Sequence, residues 1–182
     1  LCPFCCFNRY QFNEEKARRY FKQLRRELDM YIERGFSFSE FYFGGGTPTI
    51  ASAKRLAGIF DLIPHFDRIP KKAIEASPYT IRDEHIELFA DRGFAYVSLG
   101  VQSLSKRILT KNNRLFVTRK RLRDICLRLE QKGFIYNLDL ICYLDRHDQR
   151  DIPQFRRDLE YVMETLRPVS ITIHSNYQAK RS

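Results

Sequence analysis

Two cysteines at the start of the chain have the spacing of metal or redox ligands. Cys2 and Cys5 are separated by two residues, and thiolates at this spacing can reach one metal centre from a single loop. A zinc ribbon would need a second Cys/His pair at ribbon spacing, which the remaining cysteines and histidines do not form. A thioredoxin-type pair would follow a strand, and none is predicted here. An iron–sulfur site is the third interpretation, and the rest of the chain is needed to choose among them.

Length and composition are those of one globular domain. The chain has 182 residues, of which 43% are hydrophobic and 30% charged, enough for a hydrophobic core. No apolar run approaches the roughly 18 residues that a membrane span needs, and no signal peptide is visible. Because residue 1 is Leu, we expect the chain to be part of something longer. Five cysteines, two of them adjacent, indicate a reduced, cytoplasmic protein rather than a disulfide framework.

The net charge of +10 raises the question of nucleic-acid binding. We interpret the basic clusters as solvated outer faces of helices, since aromatic residues do not interleave with them as in a stacking platform. The clusters comprise Lys16, Arg18, Arg19, Lys22, Arg25 and Arg26 in one predicted helix and Arg119, Lys120, Arg121, Arg123 and Arg128 in another.

A helix end followed by Gly, Phe and a short strand occurs three times, at residues 34–38, 92–96 and 132–136. Glycine supplies the left-handed conformation that ends a helix. The repeat predicts an α/β fold in which helices connect parallel strands, as an open sheet or a barrel. The predicted helices span residues 14–34, 52–63, 80–92, 117–132 and 151–166, and the predicted strands 37–43, 72–76, 96–101, 135–141 and 170–174.

Polar or glycine-rich residues lie in or just after every predicted strand. They include residues 44–49, Glu75, residues 100–103, Asp139 and His174. Ligands of parallel α/β folds bind at the carboxyl ends of the strands, so this clustering predicts a binding site. Carboxylates flanked by apolar neighbours in strands are costly to bury, and we therefore expect Glu75 and Asp139 to have partners.

Five short strings occur in order, at residues 2–5, 43–49, 74–78, 97–103 and 137–141. In this order and with these gaps they resemble the radical S-adenosylmethionine (SAM) superfamily. The most similar group contains oxygen-independent coproporphyrinogen III oxidase, related heme chaperones and anaerobic heme-degrading methyltransferases. The similarity covers nearly the whole chain.

The resemblance implies a partial (β/α)6 barrel of the radical SAM type. Its first strand and the first cysteine of its C-x3-C-x2-C loop would precede Leu1. Residues 1–182 are accordingly interpreted as a radical SAM core domain truncated at both ends.

The resemblance also implies the cofactors, a [4Fe–4S] cluster and SAM. Cys2 and Cys5, with the preceding cysteine, would hold three irons, and the fourth would be chelated by SAM. Phe4 would lie along the adenine. The remaining implied contacts are Gly45, Gly46 and Thr47 at the SAM amino end, Glu75 at the ribose or amino group, Gln102 and Asp139 at the ribose hydroxyls, and Arg114 at the carboxylate.

The implied activity is reductive cleavage of SAM to methionine and a 5′-deoxyadenosyl radical, which abstracts hydrogen from a substrate. The group implies a tetrapyrrole or heme substrate and a low-potential electron donor such as flavodoxin or ferredoxin. A heme chaperone is the main alternative, followed by a radical SAM methyltransferase or an RNA-modifying enzyme.

Three places depart from the group's pattern. Phe7 stands where the coproporphyrinogen oxidases carry another cysteine, which is more similar to the heme-chaperone branch. Cys6 has no role in the family and is interpreted as a bystander. Residues 143–145 are Tyr-Leu-Asp where the family has Gly-Leu-Pro, and substrate contacts are expected to differ there. We expect packing roles for Cys126 and Cys142.

Overall fold

The computed structural model describes residues 2–5, 10–145 and 150–176. Cys6 and Phe7, for which the sequence makes predictions, lie outside them. Neighbouring strands run parallel in one sheet, in the order of the sequence. The strands are β1 (Glu40–Phe43), β2 (Lys71–Ala76), β3 (Tyr96–Gln102), β4 (Ile135–Cys142) and β5 (Ser170–Ser175). The α-helices are α1 (Glu14–Glu33), α2 (Ala53–Phe60), α3 (Asp83–Asp91), α4 (Lys106–Lys111), α5 (Arg119–Gln131) and α6 (Asp151–Tyr161).

The predicted α/β class and parallel strands are confirmed, and the sheet is that of a partial barrel. β1 begins at Glu40 rather than at residue 37. Its ladder starts where Glu40 faces Lys71, and Pro70 before Lys71 has no N–H to extend the pairing. The predicted helix 151–166 ends its α-helical part at Tyr161 and continues as one π-helical turn, Val162–Leu166.

The three helix-to-strand joins have the predicted geometry. Gly35, Gly93 and Gly133 have φ angles of 80°, 68° and 77°. After each glycine, the next N–H donates to a carbonyl five residues earlier, for example Phe94 N to Phe89 O at 2.9 Å. This pairing satisfies carbonyl groups at the helix end. Each glycine therefore ends its helix and directs the chain towards the following strand.

The sheet has one face packed against helices and one polar face. The packed face carries apolar side chains such as Ile74, Leu99 and Leu138, all fully buried. Because side chains alternate along a strand, the opposite face carries the intervening residues. The polar side chains of this polar face are Tyr42, Glu75, Tyr96, Ser98, Asn137, Asp139, Ser170, Thr172 and His174.

The two basic clusters are solvent-exposed in the structure, on α1 and α5. Within the described ranges, no helix has both the length and the apolar content that crossing a membrane would need.

Candidate functional site

The cysteine loop is a tight turn held against the end of the sheet. The N–H of Cys5 donates to the carbonyl oxygen of Cys2 at 3.2 Å. Phe4, between the cysteines, packs against a small apolar cluster made by α4, β4 and the turn after β4, namely Ile108, Ile141 and Leu144. Helix α4 was missed from the sequence because six residues are too short for a helical pattern. Its N-cap, Ser105, accepts a hydrogen bond from Ile108 N at 3.4 Å. A serine in this position is the sequence signal that could have predicted the start of the helix.

Arg114 connects the cysteine loop to the end of β3. Its Nη2 donates to the carbonyl oxygen of Gly100 at 2.8 Å, and its Nη1 lies 3.8 Å from Cys2 Sγ. A Cβ at Gly100 would lie 3.5 Å from this guanidinium and 2.8 Å from Nε2 of Gln102. Glycine at position 100 therefore lets both side chains lie close over the strand.

Gln102 ends β3 in an unusual conformation. Its φ is +68°, a region that residues with side chains seldom adopt. The ladder between β3 and β4 also shifts register between Gly100 and Gln102, and such bulges redirect a side chain. The side chain of Gln102 consequently lies near Gly100, on the same side as Arg114.

Glu75 is partly buried and has two hydrogen-bond partners. Tyr42 donates its hydroxyl to Oε1 at 2.5 Å, and the N–H of Gly45 donates to Oε2 at 3.1 Å. The pKa of Tyr42 is raised, first by partial burial and then by this carboxylate, so the phenol stays protonated and remains a donor. Glu75 thus ties the glycine-rich turn after β1 to β2.

Asp139 lies on the polar face next to Gly100 in the ladder. Ser98 Oγ donates to its Oδ2 at 3.0 Å, and Asn137 Nδ2 donates to its Oδ1 at 2.6 Å. Burial is the largest influence on this carboxyl and raises its pKa, while the two hydrogen bonds and the nearby His174 oppose the rise. Glu75 raises the Asp139 pKa further, because a nearby carboxylate disfavours the charged form.

The side chain of Asn137 links β4 to both neighbouring strands, β3 and β5, on the polar face. Its Nδ2 also donates to Ser98 Oγ at 3.0 Å. Its Oδ1 accepts from Ser170 Oγ at 3.0 Å and from Thr172 Oγ1 at 3.1 Å. With 2% of its surface exposed, Asn137 is a buried amide whose hydrogen-bonding capacity is used on both sides.

The glycine-rich turn is open at its tip. Gly45 and Gly46 have φ angles of +80° and +47°, and a Cβ on either would meet no atom within 4 Å. Thr47 donates its hydroxyl to the carbonyl oxygen of Gly46 at 2.7 Å. The backbone of this turn is therefore accessible to a bound molecule.

A small, open pocket lies alongside Gly100. It is bounded by the turn after β2, the end of β3 and residues leading into α5. Its lining includes Ser77, Tyr79, Val101, Leu104, Leu115 and Val117.

The structure thus brings most predicted residues to one edge of the sheet. Gln102 and Arg114 lie over Gly100, and Arg114 also reaches Cys2. Gly45 contacts Glu75, and Asp139 pairs with Gly100 in the ladder on the polar face. Gly46 and Thr47 lie on the same turn as Gly45, and their described contacts do not reach the other predicted residues. Their roles toward a ligand stay predictions.

Tyr42, Ser98 and Asn137 also belong to this site and are not among the residues predicted from the sequence. Their position could have been inferred from strand alternation, because Asn137 is two residues before Asp139 and Ser98 faces Asn137 in the ladder. Packing roles were expected for two cysteines. Cys126 is buried, and burial raises the pKa of its thiol to about 12. Cys142, at the end of β4, is partly buried.

The residues present fit a cluster-and-SAM site in part. The loop of Cys2 and Cys5 offers two thiols, and the guanidinium of Arg114 lies beside Cys2. Of the three cluster ligands that the resemblance implies, Cys2 and Cys5 are in the described chain. Within the described residues, no three His, Cys, Asp or Glu side chains are grouped to bind a metal ion.

Comparison with known proteins gives a consistent picture. The family model of the Radical SAM superfamily matches residues 1–159. The oxygen-independent coproporphyrinogen III oxidase of Helicobacter pylori strain J99 is 28% identical over 171 residues, covering 90% of this chain and 37% of the relative. Heme chaperone HemW of Mycobacterium tuberculosis strain H37Rv is 31% identical over 149 residues, covering 77% and 38%. The chain therefore spans less than two-fifths of these relatives.

Among solved structures, coproporphyrinogen III oxidase (HemN) from Escherichia coli superposes with a TM-score of 0.85 at 24% identity, covering 97% of this chain and 41% of that one. This match shows a shared fold. The predicted resemblance is confirmed, and proteins of the matched family use a [4Fe–4S] cluster and SAM. Since the family model spans the cysteine loop and the first four strands, the chain belongs to the radical SAM superfamily.

Proposed function

We propose that this chain binds SAM beside a [4Fe–4S] cluster at the carboxyl edge of β1–β4. The observation that carries the proposal is the position of Arg114, whose guanidinium lies between Cys2 Sγ and the carbonyl oxygen of Gly100. A fixed positive charge next to a cluster ligand suits the SAM carboxylate, because guanidinium–carboxylate contacts are strong and directional. When bound, the two cofactors supply a 5′-deoxyadenosyl radical for hydrogen abstraction.

The chain's own residues hold SAM from several sides. Cys2 and Cys5 are two thiolate ligands, and a third cysteine outside this sequence completes the set. Backbone groups of the glycine-rich turn meet the SAM amino end. Glu75 accepts from the amino group or ribose while its other hydrogen bonds keep it in place.

The ribose is held on the polar face. Asp139 presents a carboxylate already oriented by two donors, and carboxylate oxygens accept hydrogen bonds from hydroxyls. Gln102 reaches the same region from the end of β3. Phe4, seated on α4 and β4, lies along the adenine.

The substrate we propose is a tetrapyrrole, and the reaction is hydrogen abstraction as in oxygen-independent coproporphyrinogen III oxidase. The support is the similarity to that enzyme and to heme chaperones. A low-potential flavodoxin or ferredoxin would supply the electron, in the cytoplasm. We further propose that residues 1–182 form one core domain of a longer protein, with substrate contacts completed outside it.

A heme chaperone that keeps the cluster site is the second candidate. It is favoured by the 31% identity to heme chaperone HemW and by Phe7, which stands where the oxidases carry a further cysteine.

The test uses the full-length protein, reconstituted anaerobically and reduced. We expect 5′-deoxyadenosine and methionine in equal amounts, with more of both when coproporphyrinogen III is added and oxidised. Stable heme binding and transfer, without oxidation of the porphyrinogen, would support the chaperone instead. If reduced protein with an intact cluster leaves SAM uncleaved and binds no heme, both candidates are rejected.

A further inference from the structure

We propose that Asp158 of α6 is a positioning residue that holds the end of β3, and through it Gln102, in the shape required for SAM binding. The proposal rests on the proposed function, because it concerns the same site. Asp158 is a buried carboxylate with 1% of its surface exposed. It lies outside the set of residues to which SAM contacts are assigned.

The carboxylate binds the turn that directly follows Gln102. Its Oδ2 accepts from Ser103 Oγ at 2.7 Å and from the N–H of Leu104 at 2.9 Å. Its Oδ1 accepts from Gln154 Nε2 at 2.7 Å, one helical turn earlier on α6. Three donors to a buried carboxylate offset its loss of hydration, and two of them belong to the turn.

This turn needs an external restraint. Gln102 has a left-handed φ of +68°, which is unfavourable for a residue with a side chain and persists only where the surroundings enforce it. The following Ser103 N–H donates to Val101 O at 2.9 Å, which closes a tight turn. Asp158 accepts hydrogen bonds from the residues at the far end of that turn and thereby keeps the side chain of Gln102 over Gly100.

The same carboxylate is linked to the cysteine loop. Ser103 Oγ, which donates to Asp158, also accepts from the N–H of Ser105 at 3.1 Å. Ser105 is the N-cap of α4, and Ile108 of that helix packs against Phe4. Asp158 therefore restrains both neighbours of Arg114, the end of β3 and the helix under the cysteine loop.

Affinity for SAM is the first measurement, made by equilibrium dialysis on the full-length, cluster-loaded protein. We expect Asp158→Ala to weaken SAM binding about tenfold, since charge-assisted hydrogen bonds to the turn are lost. Ser103→Ala removes one donor, leaves α6 intact and should weaken binding in the same direction. Tyr136→Phe is the matched control. It removes buried hydrogen bonds to Glu130 and Leu166 near the other end of the sheet and should change affinity less than about twofold.

A double-mutant cycle separates positioning from general destabilisation. If Asp158 acts through Gln102, Asp158→Ala should weaken SAM binding clearly less in a Gln102→Ala background than in the wild type, with any remaining effect coming from α4. Amide hydrogen exchange at residues 102–105 should speed up in Asp158→Ala and in Ser103→Ala, but not in Tyr136→Phe.

Two results would overturn the proposal: SAM affinities of Asp158→Ala and Ser103→Ala within about twofold of wild type, or fully additive effects in the cycle. Should Asp158→Ala fail to fold, Ser103→Ala with its own Gln102→Ala cycle decides. A wild-type protein that carries its cluster yet binds no SAM would reject the proposed function itself, which distinguishes the two failures.

Discussion

Arg114 Nη1 lies 3.8 Å from Cys2 Sγ although 112 residues separate the two in sequence. The contact depends on the end of α4, where the N–H of Arg114 donates to Leu109 O at 2.8 Å. The guanidinium is then held by Gly100 O from the other side. A charge fixed in this way needs little reorganisation when an anionic group binds beside the cysteine loop.

Arg114→Lys should weaken SAM binding about tenfold. The planar guanidinium of arginine can donate to Gly100 O and to a carboxylate at the same time, whereas the ammonium of lysine lacks this geometry. Equilibrium dialysis against the cluster-loaded, full-length protein measures this change. Arg123→Lys, an exposed site on α5, is the matched control and should bind SAM as the wild type does. Equal affinities in all three proteins would show that Arg114 has no part in the site.

Asn137→Ala should lower the free energy of unfolding by about 3 kcal/mol, since a buried amide and its hydrogen bonds are removed together. Ser170→Ala removes only one donor to Asn137 and should cost about 1 kcal/mol. Urea unfolding of both variants provides the comparison. If the free energy of unfolding falls by a similar small amount in both variants, the hydrogen-bond network around Asp139 is not cooperative.

The stability of the protein should depend on pH through Asp139. Burial raises the pKa of this carboxyl from its ordinary value of 3.8, so just above pH 3.8 the folded state keeps a proton that the unfolded state has lost. This contribution to stability is present at low pH and disappears as pH rises through the raised pKa. Asp139→Asn should therefore gain stability relative to wild type as pH increases from about 4 to 7.

Urea unfolding of Asp139→Asn and of the wild type, from about pH 4 to 7, checks the sign of this change in stability. Ser98→Ala supplies a matched variant, because the Ser98 hydrogen bond lowers the Asp139 pKa and its removal should move the transition to higher pH. A stability difference between Asp139→Asn and wild type that does not change with pH would contradict the expected protonation of Asp139.

The cysteines should differ sharply in reactivity and in metal binding. Cys126 is buried and its thiol pKa is raised to about 12, so it should resist alkylation in the folded protein at pH 8 and react only on unfolding. Cys2→Ser and Cys5→Ser should each abolish the iron content of the reconstituted protein, whereas Cys126→Ala should retain it. Iron analysis gives the answer, and a Cys5→Ser variant with full iron content would show that the ligands are misassigned.

Much of the fold could be predicted from the sequence because its signals are local. Hydrophobic alternation gave the strands to within a few residues, and the Gly-Phe joins gave the helix ends. The start of β1 could not be predicted, since it depends on Pro70, which directly precedes the neighbouring strand β2. The π-helical turn at Val162–Leu166 leaves no local signal, because its sequence continues the helical pattern of α6.

Within the candidate site, only residues that belong to recognisable sequence motifs could be predicted. Glu75 and Asp139 could be identified as carboxylates needing partners, but those partners depend on the register between strands. Ser98 reaches Asp139 over 41 residues and Tyr42 reaches Glu75 over 33. Asp158 was not predicted either, because a single acidic residue in a helix indicates nothing until the turn that it binds is known.

The most direct test of the central claim is the position of bound SAM relative to the cluster. In the reduced, full-length protein, electron–nuclear double resonance with SAM carrying heavy nitrogen in its amino group measures that position. We predict a strong hyperfine coupling to the label, which weakens or vanishes in Arg114→Ala. Clear SAM binding without any coupling to the label would contradict a site that places SAM between Arg114 and the cysteine loop.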